Sequence, residues 1–220
     1  MVERIESGIP RLDEHIEGGI PKGSLTLVSG GPGSGKTTFS IQFADKGIEN
    51  GENCLYITTG QKSEEIKGDA AEYGIDLDKE NFTITEVSPS NDVSENIREK
   101  IASKNFDRVV LDSISIFEMH WGEKDHLRKY INKLMNHFKD IDATVVITSE
   151  RSENSSGILS RFGIAEFIVD GVILLEGFGL GNTSYRTLQV VKMRRTNIDG
   201  SLKQIGLDEQ GLYLEEDERL

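Results

Sequence analysis

The chain has 220 residues, of which 36% are hydrophobic and 29% charged, and its formal net charge is −13. That length supports one well-buried core without comfortable division, and the acidic balance argues against a protein that grips nucleic acid through its overall field, leaving room only for a local basic patch. A lone cysteine, Cys54, excludes a disulfide framework, and His15, His120, His126 and His137 lack the Cys/His spacing of a structural zinc site.

The opening MVERIESGIP carries acidic residues where an export signal needs a basic end and an apolar run, so a cytoplasmic protein is expected. SLTLVSG (24–30) has the pattern of a buried strand running into a glycine-rich turn, followed by a helix over about 36–48. CLYITT predicts a strand, 63–73 a helix, FTIT a short strand and 93–103 a helix; FDRVVLDS is then another strand. Between 124 and 138, Leu127, Ile131, Leu134, Met135 and Phe138 recur at helical spacing, an apolar stripe for the sheet. ATVVITS is a further buried strand. After the serine-rich loop RSENSSG, VDGVILLE and SYRTLQVVKMRR read as a hairpin joined by a glycine-rich turn, GFGLGN. FIVDGVILL, interrupted by Asp170, is far shorter than the ~20 apolar residues that span a bilayer, so no membrane insertion is expected. Alternating strands and helices with a β-rich end predict an α/β protein whose mainly parallel central sheet is flanked by helices, with antiparallel strands at the C-terminal edge. One domain over 1–214 and an acidic tail at 215–220 are expected.

GGPGSGKT supplies Gly30, four residues, then Gly35, Lys36 and Thr37, the G-x-x-x-x-G-K-[ST] pattern between a strand and a helix. Glycines let the backbone curl so that successive N–H groups point inward, and the following helix turns its positive end to the same place. Such a cradle takes the phosphates of a nucleotide; Lys36 bridges the outer phosphates, and Thr37 offers a hydroxyl to Mg²⁺. In FDRVVLDS a buried run ends at Asp112, which suits a Mg²⁺-holding carboxylate on a strand beside the phosphate-loop strand.

With GIPRLDEHIEGGIP ahead of the loop, then VVLDS, ITSER, RFGIAEFIVDGVILL and KMRRT, the chain resembles the KaiC-like branch of the RecA-type P-loop ATPases from near its start to Gly211. The resemblance implies a single RecA-type core, where the clock protein has two in tandem, with ATP and Mg²⁺ as cofactors. It also implies a homo-oligomer, usually a hexameric ring, and regulatory work through a protein partner that the sequence does not name. It assigns Gly33, Ser34, Gly35, Lys36, Thr37 and Thr38 to the phosphates and magnesium. Lys192 and Arg194 of KMRRT are implied to reach the terminal phosphate held by the neighbouring subunit, with Met193, Thr196, Leu207 and Asp208 near the nucleotide. Alternate residues of a strand share a face, so Lys192 and Arg194 are expected to project together.

This sequence departs from the resemblance in two places. Relatives carry two glutamates after the second strand of the core, the first of which handles the attacking water; here Gly60 and Gln61 stand there. Glutamine can position a water without being an efficient base, so slow hydrolysis is expected, and a scaffold that only holds ATP is the alternative. The ITT-x-Q pattern is shared with the ATP-binding accessory protein of the archaeal motility motor. Glu64 and Glu65 are expected to favour the positive end of their helix. Clock kinases have a Ser-Thr pair where this chain has Glu166 and Phe167, closing that route of self-phosphorylation and leaving Glu166 as an expected surface carboxylate. In SERSENSSGILSRFG, Arg151 and Arg161 are offset by Glu150 and Glu153, so a recombinase-like grip on DNA is disfavoured. His120 and Trp121 are expected in a partly buried loop.

Overall fold

The computed structural model describes residues 2–88, 93–115, 117, 124–151, 158–161, 163–180 and 183–216. His120, Trp121 and the serine-rich loop at 152–157 lie outside them. In chain order the elements are β1 (Arg4–Ile5), β2 (Ile20–Pro21), β3 (Leu25–Gly30), α1 (Lys36–Glu49), β4 (Cys54–Thr58), α2 (Ser63–Glu72) and β5 (Phe82–Glu86). There follow α3 (Val93–Ala102), β6 (Arg108–Asp112), α4 (Lys124–Lys139), β7 (Thr144–Glu150) and α5 (Ala165–Ile168). Four strands finish the chain: β8 (Gly171–Leu180), β9 (Thr183–Met193), β10 (Leu202–Asp208) and β11 (Gly211–Leu214).

Nine strands form one sheet in the order β11-β10-β9-β8-β3-β7-β6-β4-β5. Every pair from β8 to β5 is parallel, and β8-β9, β9-β10 and β10-β11 are antiparallel, as the alternation and the β-rich end require. The central strands read as continuous apolar runs because both faces are covered. On β6, Val110 joins the core on the α1 side with Phe39, Tyr56, Val146 and Ile173, while Val109 and Leu111 turn to the α3–α4 side with Ile57, Ile147 and Leu134. That split is the two-residue period of a strand sandwiched between helices. Leu127, Ile131, Leu134, Met135 and Phe138 of α4 are all buried against the second face.

The N-terminal segment joins the first core through Ile9, Leu12, Ile16 and Ile20. It is pinned by Arg108, whose guanidinium, 1% exposed, pairs with Glu52. The same group donates to the Glu6 and Phe43 carbonyls at 2.7 and 2.9 Å and lies 4.7 Å from the Phe43 ring. A buried cation is tolerable only with such partners. Among the described residues no helix is long and apolar enough to cross a membrane.

Two expectations need correcting. β6 is not beside β3, because β7 lies between them. The glycine-rich stretch after VDGVILLE is not all turn, for β8 continues through Gly177 and Gly179 to Leu180, paired with Thr183. Cross-strand pairing outweighs the turn preference of glycine there. β10 and β11, with no counterpart among the predicted strands, extend the sheet over α1. Gln42 ties them down: its Nε2 donates to the Leu212 carbonyl at 3.0 Å, and its Oε1 accepts the Leu212 N–H at 2.9 Å.

Candidate nucleotide site

β3 ends at Gly30, where nothing larger fits: a Cβ there would stand 2.3 Å from the Leu175 carbonyl oxygen and 2.4 Å from Ser34 Oγ. Gly33 and Gly35 have φ of 69° and 97°, the left-handed backbone that glycine adopts without penalty. These turns curl 30–35 into a loop ahead of α1, whose first-turn amides have no intrahelical partners. Ser34 is 3% exposed, and its hydroxyl has no hydrogen-bond partner among the described residues. Lys36 Nζ folds back over the loop and donates to the Gly30 and Gly31 carbonyls at 3.0 and 2.7 Å. Burial pushes the Lys36 pKa down, against the opposing pull of Asp112 and Glu150. A phosphate oxygen would offer that ammonium a charged acceptor in place of neutral carbonyls, a stronger bond.

Across the loop, Thr37 Oγ1 donates to Asp112 Oδ2 at 2.9 Å. Two further hydroxyls converge on this carboxylate: Tyr56 on Oδ2 at 2.8 Å and Thr148, from the intervening β7, on Oδ1 at 2.5 Å. Burial first, and the Asp112 charge second, hold the Tyr56 phenol well above its usual range, so it remains a donor. A carboxylate fixed by three hydroxyls beside a phosphate cradle is a hard-oxygen donor set, which suits Mg²⁺ with retained waters. Thr37 and Asp112 are the residues that would hold such an ion, and its contribution would be to neutralise phosphate charge. Tyr56 and Thr148 left no local trace in the sequence, since each meets Asp112 only through strand pairing. Thr38 is buried next to α2, with its hydroxyl 3.5 Å from the Tyr73 hydroxyl. Tyr73, Gln42 and Gln210 help line an open cavity of about 500 Å³ along α1.

Gln61 is placed differently. Its side chain is exposed and donates to Asp69 Oδ2 of α2 at 3.3 Å, while its backbone is held by Thr58. At Gly60 an added Cβ would meet none of the described residues within 4 Å. Glu65 accepts the Lys62 N–H at 3.1 Å at the start of α2, the helix-end role expected of it. Glu166 is not a surface carboxylate: it is 8% exposed, taking the Leu159 N–H at 3.1 Å and the Ser160 hydroxyl.

The remaining site residues fall into two places. Leu207 pairs with Leu212, whose Cδ1 would lie 3.0 Å from a Cβ on Gly35, so Leu207 and Asp208 flank this chain's own loop. Lys192, Met193, Arg194 and Thr196 sit at the other end of the sheet. Lys192 is opposite Val172, which pairs with Leu27; the Arg194 N–H bonds the Asp170 carbonyl, and the Asp170 N–H bonds Leu25. Leu25 and Gly30 are the two ends of β3, so about 16 Å of strand separates the level of Arg194 from the loop of the same chain, and about 10 Å separates that of Lys192, whose Nζ turns away from the loop to the Val169 carbonyl. Lys192 Nζ donates to the Glu166 and Val169 carbonyls at 3.1 and 2.6 Å, and burial, then Arg194, lowers its pKa. Arg194 pairs with Asp170 at 3.2 Å. Met193 is 5% exposed in the core, which leaves its backbone as the part available to a ligand. Thr196 accepts a bond from Arg4 at 2.9 Å.

The KaiC ATPase family model matches residues 5–219. The chain belongs to that family. It is 34% identical over 212 residues to the circadian clock oscillator protein KaiC of Prochlorococcus marinus subsp. pastoris, covering 89% of this chain and 42% of the relative. It is 32% identical over 213 residues to KaiC of Synechococcus elongatus, with 89% and 41% covered. The chain thus spans less than half the length of these curated relatives. Among solved structures, a KaiC-like protein of the hyperthermophilic archaeon Pyrococcus horikoshii OT3 superposes with a TM-score of 0.88 at 32% identity, over 98% of this chain and 100% of that one. The RecA-type fold and the P-loop identity of the KaiC-like chain follow, and family membership supports ATP binding.

Proposed function

We propose that the protein is a Mg²⁺-dependent ATP-binding member of the KaiC family. In this reading it assembles into a ring, usually of six, and completes each nucleotide site with Lys192 and Arg194 of an adjoining copy. The single observation that carries this reading is the separation along β3. One end of the sheet has the phosphate loop with Thr37 and Asp112, and towards the other Lys192 and Arg194 are held on Glu166, Val169 and Asp170, turned away from their own loop. Two sites that cannot meet within a chain can meet between chains, and cations aimed at a developing phosphate charge are a recognised source of rate. Hydrolysis is slow because Gly60 supplies no base and Gln61 is turned towards Asp69. ATP occupancy then governs assembly and the surface shown to a protein partner, a regulatory output. The same two residues favour a second reading, a scaffold that retains ATP without turnover.

Native mass measured with and without Mg-ATP, together with steady-state phosphate release, tests both. A nucleotide-dependent shift to a closed oligomer with slow release supports the first reading. A shift with ATP retained and no release supports the second, and a monomer in both conditions overturns the ring.

A further inference from the structure

A chain of hydrogen bonds runs between the two separated halves of the site. Ser29, fully buried and next to Gly30, donates its hydroxyl to the Leu159 carbonyl. The Leu159 N–H donates to Glu166 Oε1 at 3.1 Å, and the Ser160 hydroxyl, on a residue 1% exposed, donates to Glu166 Oε2. Ser160 Oγ in turn accepts the Ile164 N–H at 3.3 Å, closing the loop onto the start of α5. From the same residue, the Glu166 carbonyl accepts Lys192 Nζ at 3.1 Å, next to the Val169 carbonyl at 2.6 Å. Phe167, the next residue, is 75% exposed, so this turn has its carboxylate inside and an apolar ring on the outside.

A buried carboxylate is costly unless its oxygens are paired, and Glu166 is paired to the backbone and hydroxyl of the loop that follows β7. Its side chain therefore fixes α5 against that loop, and α5 with the residue that caps it, Val169, supplies the carbonyls that aim the Lys192 ammonium. We propose that Glu166 is the positioning residue that holds Lys192 for delivery to an adjoining copy and ties that delivery to the strand feeding the chain's own phosphate loop. The proposal rests on the reading that Lys192 acts between chains. In it, a ligand that shifts Gly30 in one subunit moves Ser29, Leu159 and α5 as a linked set, so the state of one site is transmitted to the cation offered to the next.

The test uses mixed assemblies of full-length chains. Glu166→Ala has an intact phosphate loop and a misaimed Lys192, whereas Lys36→Ala has a disabled loop and an intact Lys192. Alone, E166A is expected to bind ATP with unchanged affinity and release phosphate about tenfold more slowly. Mixed in equal amounts with K36A, it should recover about one quarter of the wild-type rate, because about one interface in four then joins two intact halves. Glu166→Gln, which keeps the length and an acceptor oxygen, should stay near wild type. If release is too slow to follow, the dwell time of a fluorescent ATP analogue gives the same comparison. The control is K192A mixed with K36A. Recovery in the control but not with E166A overturns the role of Glu166 and leaves the shared site standing. No recovery in the control overturns the shared site and the inference with it. Ser160→Ala, which removes a partner and leaves the carboxylate, replaces E166A should that variant not fold.

Discussion

The two ends of the sheet are built on different principles. At the loop end, the parts proposed to hold phosphate all lie within one chain: Gly30 is packed against Leu175, and Asp112 is held by Thr37, Tyr56 and Thr148. At the other end, Lys192 rests on the Glu166 and Val169 carbonyls and Arg194 on Asp170. In the proposed reading the first is a receptor already set for its ligand and the second a donor, whose Lys192 rests on neutral carbonyls from which a phosphate could draw it. Preorganisation belongs where binding must be tight, and displaceable contacts belong where a group must change hands.

The contrast breaks most sharply at Lys36. Lys36→Ala removes the charged donor from the receptor end, and Mg-ATP affinity should fall by at least about 100-fold, as seen by titration with a fluorescent analogue. An affinity within threefold of wild type would show that the loop does not carry the binding. Lys192→Ala touches only the donor end, so binding to the isolated loop should persist while phosphate release falls about 100-fold and Mg-ATP-dependent assembly weakens. An unchanged native mass and rate would retire the idea of a donated cation. Gly60→Glu should raise release by about tenfold, since the site has open space for the new side chain and gains the missing base. A silent G60E with ATP still bound would favour the scaffold reading. The smallest effect concerns Cys54, whose thiol burial pushes up to about 12. At pH 8 the thiolate fraction is on the order of 10⁻⁴, so iodoacetamide should leave the native protein unmodified over hours and label it only on unfolding. Rapid native labelling would mean that α1, against which Cys54 packs, opens readily.

The receptor end was legible in the sequence, and the donor end only through resemblance. GGPGSGKT is contiguous and states its own geometry, and the spacing of Leu127, Ile131 and Leu134 gave α4 its buried face. What escaped is long-range. Asp112 was recognised, but nothing local shows that Thr148 and Tyr56 brace it or that β7 separates β6 from β3. Glu166 sits in an apolar run, and its burial became visible only when Leu159 and Ser160 were brought to it. β10 lacked a signal because, of its seven residues, only Ile205 is buried, so its strand character comes from pairing with β9 and β11 and not from alternation. The fold class survived these gaps because it depends on the order of strands and helices, which periodicity reveals, and not on the contacts between them.

The amide of Gln42 has one more effect. Together with the Pro10 carbonyl, which takes the Leu214 N–H at 3.2 Å, it occupies outward-facing backbone groups of the sheet's last strand. A margin closed in this way offers no template for another polypeptide to zip onto. Copies of this molecule are thereby steered away from fibril-like stacking through that border, which leaves the proposed assembly to contacts made by side chains and nucleotide.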